Sequence, residues 1–165
     1  LDEARPADSQ LIGKLEKMLT SIQPDMTIFY QLLSEIPADV INGERALNKE
    51  EVVQHFSECF YQELSEKQSD VFFNWIQSYL ERKKTNTISA EESIKRMREH
   101  NPRFILRNYL LHQAIEDLEK GDDTLFVKLQ QAMKEPYSDR YGEFFQKRPS
   151  WATQKAGCSM LSCSS

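Results

Sequence analysis

The stretch NPRFILRNYLLHQAIEDLEKG, residues 101–121, decides the expected fold. Asn101 followed by Pro102 is typical of a helix start, because the N–H that proline lacks would be unpaired there anyway. The apolar residues that follow form a wide band at helical spacing; they are Phe104, Ile105, Leu106, Tyr109, Leu110, Leu111, Ala114, Ile115 and Leu118. Lys120 and Gly121 supply a basic last turn and a terminating glycine. The pattern predicts the longest helix of the protein over residues 101–120, deeply buried at the centre of the fold.

Six other stretches of the chain have apolar residues at helical spacing. Their expected starts carry residues that commonly cap helices, such as Ser9, Asp25 or Thr27, Asn48, Ser89, and Asp122 or Asp123. Asn48 and Ser89 are each followed three residues later by glutamate, which is the capping-box pattern. The sequence therefore predicts an all-α bundle of about seven helices over residues 1–136 and an irregular, extended tail over residues 137–165.

Composition and charge argue against several classes of function. The chain has 165 residues, with 21 basic and 26 acidic side chains and a formal net charge of −5, so it lacks the positive field that draws proteins to nucleic acid. The sequence contains no run of 18 apolar residues, which is about the length that a membrane-spanning helix needs. Its first ten residues are too polar for a secretion signal. We therefore expect an intracellular protein with no nucleic acid or membrane as its partner. The first residue is Leu1 rather than Met, and we expect the chain to be part of a longer protein.

The sequence contains no pattern typical of a nucleotide or metal site. Its five glycines, at positions 13, 43, 121, 142 and 157, include no Gly-x-Gly pair that could cradle a phosphate. His55 and Cys59 stand four apart on one predicted helix, but a structural zinc ion requires four ligands, so ordinary packing is favoured and Cys59 is expected to be a small buried apolar side chain. Arg103 and Arg107, also four apart, could clamp an anionic group or form a partly buried ion pair, and the ion pair is favoured.

The segment WATQKAGCSMLSCSS, residues 151–165, contains two of the three cysteines, Cys158 and Cys163. Among small and polar residues near a terminus, a thiolate could reach a distant partner, so both cysteines are redox candidates. The alternative is a frayed terminus with incidental cysteines. The residues alone favour that alternative.

The last third of the chain resembles the selenoprotein O family, also called SelO or YdiU. The resemblance is carried by NPRFILRNYLLHQAIEDLEKGD at residues 101–122, PYSDRY at 136–141, RPSWA at 148–152 and CSS at 163–165. Members of the family resemble protein kinases, but they transfer AMP from ATP to hydroxyl groups of proteins with the help of magnesium. The resemblance implies that the nucleotide-binding, metal-binding and catalytic groups lie upstream of Leu1, so no catalytic, cofactor-binding or metal residue is assigned in this chain.

The resemblance also implies a role for Cys163, because the family has selenocysteine or cysteine at the third position from the end. Cys163 would form a reversible disulfide with a cysteine of the upstream kinase-like region, and oxidation would restrain the catalytic part. Cys158, five residues earlier, departs from the usual ending of the family and could instead pair with Cys163.

Two functional hypotheses follow. The resemblance implies the carboxyl-terminal helical fragment of a protein adenylyltransferase, inactive alone, whose partners are the upstream kinase-like region and the protein substrates and whose parent uses ATP and magnesium. That parent would lie in the bacterial cytoplasm, or in mitochondria if it is eukaryotic. The alternative is a free-standing helical adaptor that binds proteins through an apolar face. An adaptor should have an otherwise closed polar exterior, whereas a severed domain should expose the apolar patch that met its neighbour.

Overall fold

The computed structural model describes residues 4–155 and residue 158. Within these residues the chain forms α-helices and short 3-10 helices and no strand. The α-helices, α1 to α8 in chain order, span Asp8–Ile22, Met26–Ser34, Ala38–Ile41, Lys49–His55, Glu66–Lys83, Ala90–His100, Asn108–Glu119 and Thr124–Lys134. The 3-10 helices span Ser57–Cys59, Asp139–Phe144 and Ser150–Thr153. The all-α prediction is confirmed.

Several helix starts lie where the sequence predicts them, because a side chain caps the first turn. Asp25 accepts a hydrogen bond from the backbone N–H of Ile28 at the start of α2. At α4, Asn48 and Glu51 form the predicted capping box, with bonds of 2.9 Å and 2.8 Å. At α6, the Ser89 hydroxyl accepts a hydrogen bond from the backbone N–H of Glu92 at 3.2 Å.

The helices α1 to α6 surround a first hydrophobic core, and we call residues 4–100 the amino-terminal lobe. The longest helix of the described chain is α5, with 18 residues, which packs against α1, α3 and α4. At the centre of this core, the rings of Phe29, Phe56 and Phe72 lie with centroids 5.1 to 6.3 Å apart in tilted and edge-to-face arrangements. All three side chains are fully buried, so packing between aromatic rings forms the centre of this core.

A second, smaller hydrophobic core lies in the remaining chain, and we call residues 101–155 with residue 158 the carboxyl-terminal lobe. Its buried members are Phe104, Tyr109, Leu110, Ala114, Leu129, Ala132, Tyr141, Phe144, Ala152 and Cys158. The helices α7 and α8 pack on each other. The chain therefore folds around two separate cores rather than around one central helix.

The prediction of one long buried helix over residues 101–120 is wrong. Residues 101–107 are not helical, and α7 begins only at Asn108. The backbone N–H groups of Arg103 and Phe104 both donate to the carbonyl oxygen of Pro136, at 2.8 Å and 2.9 Å, and Arg107 has an extended backbone. Bonding to a distant carbonyl has replaced the bonds of a first helical turn, so the apolar band is divided between an extended segment and a shorter helix.

The segment after residue 136, for which the sequence predicts an irregular tail, contains two of the 3-10 helices. Tyr141 and Phe144 from the first and Ala152 from the second are buried in the core of the carboxyl-terminal lobe. Such short turns have no 3.6-residue period that a sequence pattern could reveal. The domain boundary at residue 136 stays a prediction, and residues 156–157 and 159–165 lie outside the described residues.

Candidate functional site

A buried ion pair between Asp25 and Arg107 joins the two lobes. Asp25 precedes α2 in the amino-terminal lobe, and Arg107 precedes α7 in the carboxyl-terminal lobe. The guanidinium binds both carboxylate oxygens, with Nη1 2.5 Å from Oδ2 and Nη2 2.8 Å from Oδ1. The two side chains are only 2% and 11% exposed. This geometry is the bidentate, charge-assisted arrangement that stabilises a carboxylate most strongly.

The carboxylate of Asp25 has further donors on its own lobe. The hydroxyl of Tyr61 donates to Oδ2 at 2.9 Å, and the backbone N–H of Ile28 donates to Oδ1 at 3.2 Å. Burial by itself raises the pKa of Asp25, but the hydrogen bonds from Arg107, Ile28 and Tyr61 and the charge of Arg107 hold that pKa below its usual value. Asp25 is therefore an ionised, fully paired acid.

Further polar contacts surround this ion pair at the junction. Arg103 lies 3.1 Å from Glu35 of the amino-terminal lobe and 2.8 Å from Asp139, and its guanidinium covers the ring of Phe145 at 4.7 Å. Lys147 donates to the carbonyl oxygen of Phe60 at 2.5 Å. The ion-pair prediction for Arg103 and Arg107 is confirmed, although both residues lie in the extended segment rather than on a helix.

The structure places two of the three cysteines in the interior, and neither forms a disulfide. Cys59 is fully buried, as expected from its place in an apolar set, and burial together with the negative charge of Asp25 raises the pKa of its thiol to about 12. Cys158 is 2% exposed and belongs to the core of the carboxyl-terminal lobe. This burial differs from the accessible thiol that the tail sequence suggests. Cys163 lies outside the described residues, so the redox roles of Cys158 and Cys163 stay predictions.

The histidine that the sequence pairs with Cys59 has another contact. A ring nitrogen of His55 lies 2.8 Å from the carbonyl oxygen of Leu32, and the ring stands edge-on to Phe56. Among residues 4–155 and 158, no group of three or more histidine, cysteine, aspartate or glutamate side chains could hold a metal ion. In the same residues, no helix is both long enough and apolar enough to cross a membrane.

From the sequence, Asp25 is expected only to cap a helix, and no pattern singles out Tyr61. Asp25 is separated by 82 residues from Arg107 and by 36 residues from Tyr61. The spacing of residues in the sequence indicates only contacts within about two helical turns. It could therefore predict that Asp25 caps a helix, but not that Asp25 binds Arg107 and Tyr61. The only available signal was an arginine in a predominantly apolar stretch.

Comparison with known proteins gives the following matches. A sequence model described as "Protein adenylyltransferase SelO" matches residues 2–134. The protein called "Protein nucleotidyltransferase YdiU" in Cytophaga hutchinsonii is 53% identical over 164 residues, which cover 99% of this chain and 30% of that protein. Proteins of the same description in Rhodopirellula baltica and Flavobacterium johnsoniae are 38% and 36% identical, over 96% of this chain in both cases and 31% and 30% of their own lengths. The chain thus spans about 30% of the length of the curated relatives that it matches.

The Asp25–Arg107 pair yields a prediction about stability. Replacing Arg107 by Met leaves the buried carboxylate without its main partner, and we expect a loss of about 3–5 kcal/mol in the free energy of unfolding. Arg103→Met is the matched control, because Arg103 is 27% exposed and its ion pairs reach the surface; its cost should be about 1 kcal/mol or less. Urea unfolding followed by circular dichroism measures both. Equal costs for the two variants would contradict a special role for the buried pair.

The lowered pKa of Asp25 yields a prediction about pH. Because this pKa is lower in the folded than in the unfolded protein, the contribution of Asp25 is complete above the unfolded value of about 3.9 and is lost as the pH falls through the folded value. Asp25→Asn cannot titrate, so its unfolding free energy should be lower at neutral pH but depend less on pH in the acid range. Unfolding at a series of pH values measures the difference. Parallel pH curves for the two proteins would refute the assignment.

Proposed function

The chain belongs to the SelO family of protein adenylyltransferases, and from this membership we propose that it is the carboxyl-terminal helical part of a longer enzyme. The whole enzyme, in this proposal, has a kinase-like region and transfers AMP from ATP to hydroxyl groups of proteins. The observation that carries the proposal is the family match over residues 2–134. The coverage of only 30% of the Cytophaga hutchinsonii relative supports a longer parent.

In this proposal, ATP and its magnesium ion are bound by the rest of the enzyme. The sequence has no Gly-x-Gly pair for a phosphate, and the described residues contain no cluster of metal-binding side chains. The catalytic steps of AMP transfer are accordingly proposed for that upstream region. The two lobes, joined through Asp25 and Arg107, would support that catalytic region and hold the start of the tail.

We further propose that Cys163, rather than Cys158, carries redox regulation. The thiol of Cys158 is buried in a core and is therefore poorly accessible to a disulfide, and this supports the other cysteine of the tail. Cys163 would form a disulfide with a cysteine of the kinase-like region by exchange with a small-molecule disulfide. That oxidant accepts two electrons and two protons and leaves as two thiols, while the new sulfur–sulfur bond restrains the catalytic region.

The free-standing adaptor is the less favoured alternative. A self-contained adaptor should close its exterior with polar residues outside one binding face. The described residues instead include large apolar side chains that are about half exposed, such as Ile12 on α1, Ile115 on α7 and Met133 on α8. Such exposure is expected of a part that meets a larger protein.

The proposed activity predicts a difference between the native gene product and this chain alone. The native product, captured from its own cells, should have a mass well above 19.3 kDa and should label proteins when incubated with magnesium and ATP radiolabelled at the α-phosphate. ATP labelled at the γ-phosphate is the control and should give no label, because AMP transfer releases that phosphate. The chain alone should label nothing. Transfer by the chain alone, or label only from the γ-phosphate, would contradict the proposal.

The proposed redox role predicts different behaviour of the two tail cysteines. After oxidation of the native product with a small-molecule disulfide, peptide mapping without reduction should find Cys163 linked to a cysteine outside this chain. Cys163→Ser should abolish that linkage, whereas the control variant Cys158→Ser should retain it. Cys163 that remains free under these conditions, or that pairs with Cys158, would refute the long-range disulfide.

A further inference from the structure

A small cavity of about 190 Å³ lies in the amino-terminal lobe, between the end of α3, the end of α5 and the start of α6. Among the described residues that line it none is acidic, and most are polar: Asn42, Lys83, Lys84, Asn86, Ser89 and Ser93. Cavities that stay empty inside proteins are lined by apolar groups. The polar wall therefore indicates that this cavity holds a polar species.

The side chain of Asn86 contributes an unpaired hydrogen-bond donor to this wall. Its Oδ1 accepts a hydrogen bond from Nη1 of Arg82 at 3.0 Å, which fixes the orientation of the amide group. Its Nδ2 is buried and has no hydrogen-bond partner among the residues that the structure describes. Because buried donors in folded proteins are nearly always paired, Nδ2 indicates that the cavity receives a hydrogen-bond acceptor.

Two lysines give the wall a positive charge. Lys83 is only 3% exposed, and its ammonium group donates to the hydroxyl of Ser93. Lys84 is 38% exposed at the rim, where its ammonium group lies 2.6 Å from Glu81. Its Cε lies 2.7 Å from the place that a Cβ on Gly43 would take, so the absence of a side chain there makes room for this lysine. The two cations favour an acceptor that is negatively charged.

The start of α6 adds to this preference. Ser89 caps the helix, Ala90 is its first residue, and both line the cavity. The N–H groups of a first helical turn have no partner within the helix and favour a nearby anion. The acids of this turn do not line the cavity, since Glu91 is exposed and Glu92 lies 2.8 Å from Arg96.

We propose that this cavity binds a small free oxyanion of the phosphate class. Pockets that bury whole drug-sized ligands measure roughly 300–1,000 Å³, so about 190 Å³ suits a single phosphate-sized group rather than a nucleotide. Water alone is the competing content, because it would satisfy Nδ2 of Asn86 without neutralising the charge of the two lysines. The site belongs to this chain and requires neither ATP nor AMP transfer.

Isothermal titration calorimetry of the native gene product with inorganic phosphate tests the site. Asn86→Asp keeps an oxygen for Arg82 but replaces the unpaired donor with a carboxylate oxygen that repels an anion, so the affinity for phosphate should fall at least about tenfold. Gln130→Glu is the matched control, because it makes the same change from amide to carboxylate at an exposed position on α8. Its affinity for phosphate should equal that of the unchanged protein, and circular dichroism checks that both variants fold.

Lys84→Gln provides a second test that does not depend on the folding of Asn86→Asp. Because Lys84 lies at the exposed rim, its replacement should leave the lobe folded and weaken phosphate binding about threefold. The phosphate ester O-phosphoserine distinguishes a free ion from a phosphate group on a larger molecule. Weaker binding of O-phosphoserine than of inorganic phosphate supports the free ion, whereas tighter or equal binding would overturn it.

Two further results would overturn the proposal. Absence of phosphate binding up to about 10 mM would show that the cavity holds only water. Equal phosphate affinity of Asn86→Asp, Lys84→Gln and the unchanged protein would place the bound phosphate elsewhere in the native product. Neither result bears on AMP transfer, which is measured separately with radiolabelled ATP.

Discussion

The bidentate pairing of Asp25 with Arg107 is the constraint on which the arrangement of the two lobes depends. Each lobe has its own hydrophobic core, and the contacts between the lobes include the Asp25–Arg107 pair, the hydrogen bond from Lys147 to Phe60 and the packing of Phe145 against the first core. Removing a carboxylate and a guanidinium from water is costly, and the geometry offsets this cost because both oxygens of Asp25 accept two hydrogen bonds each. A pair of this kind adds modestly to stability but penalises any arrangement in which either charge is buried alone.

The positions of the two charged residues in the chain explain how the pair can form. Each stands immediately before a helix and has an extended backbone. Asp25 thereby caps α2 and binds Arg107 with the same carboxylate. One side chain thus couples the start of a helix in the first lobe to the start of a helix in the second.

The two lobes differ in how completely they bury their apolar surface. The core of the amino-terminal lobe contains aromatic rings that pack directly on one another, whereas α8 of the carboxyl-terminal lobe buries only two of its side chains. This difference accords with a chain that spans about 30% of its curated relatives.

Local sequence signals were sufficient for the all-α class and for helix starts such as Asn48 and Ser89, because a cap and its partner lie within four residues. The same signals misplaced the helix expected from residue 101, since the carbonyl of Pro136 that holds Arg103 and Phe104 out of a helix is distant in the chain. They favoured ion pairs for the two arginines without identifying an acid, and they could not reveal that Cys158 is buried. Interactions between near neighbours are encoded in spacing, whereas pairing across 82 residues and the closing of a core arise only when the whole chain is packed.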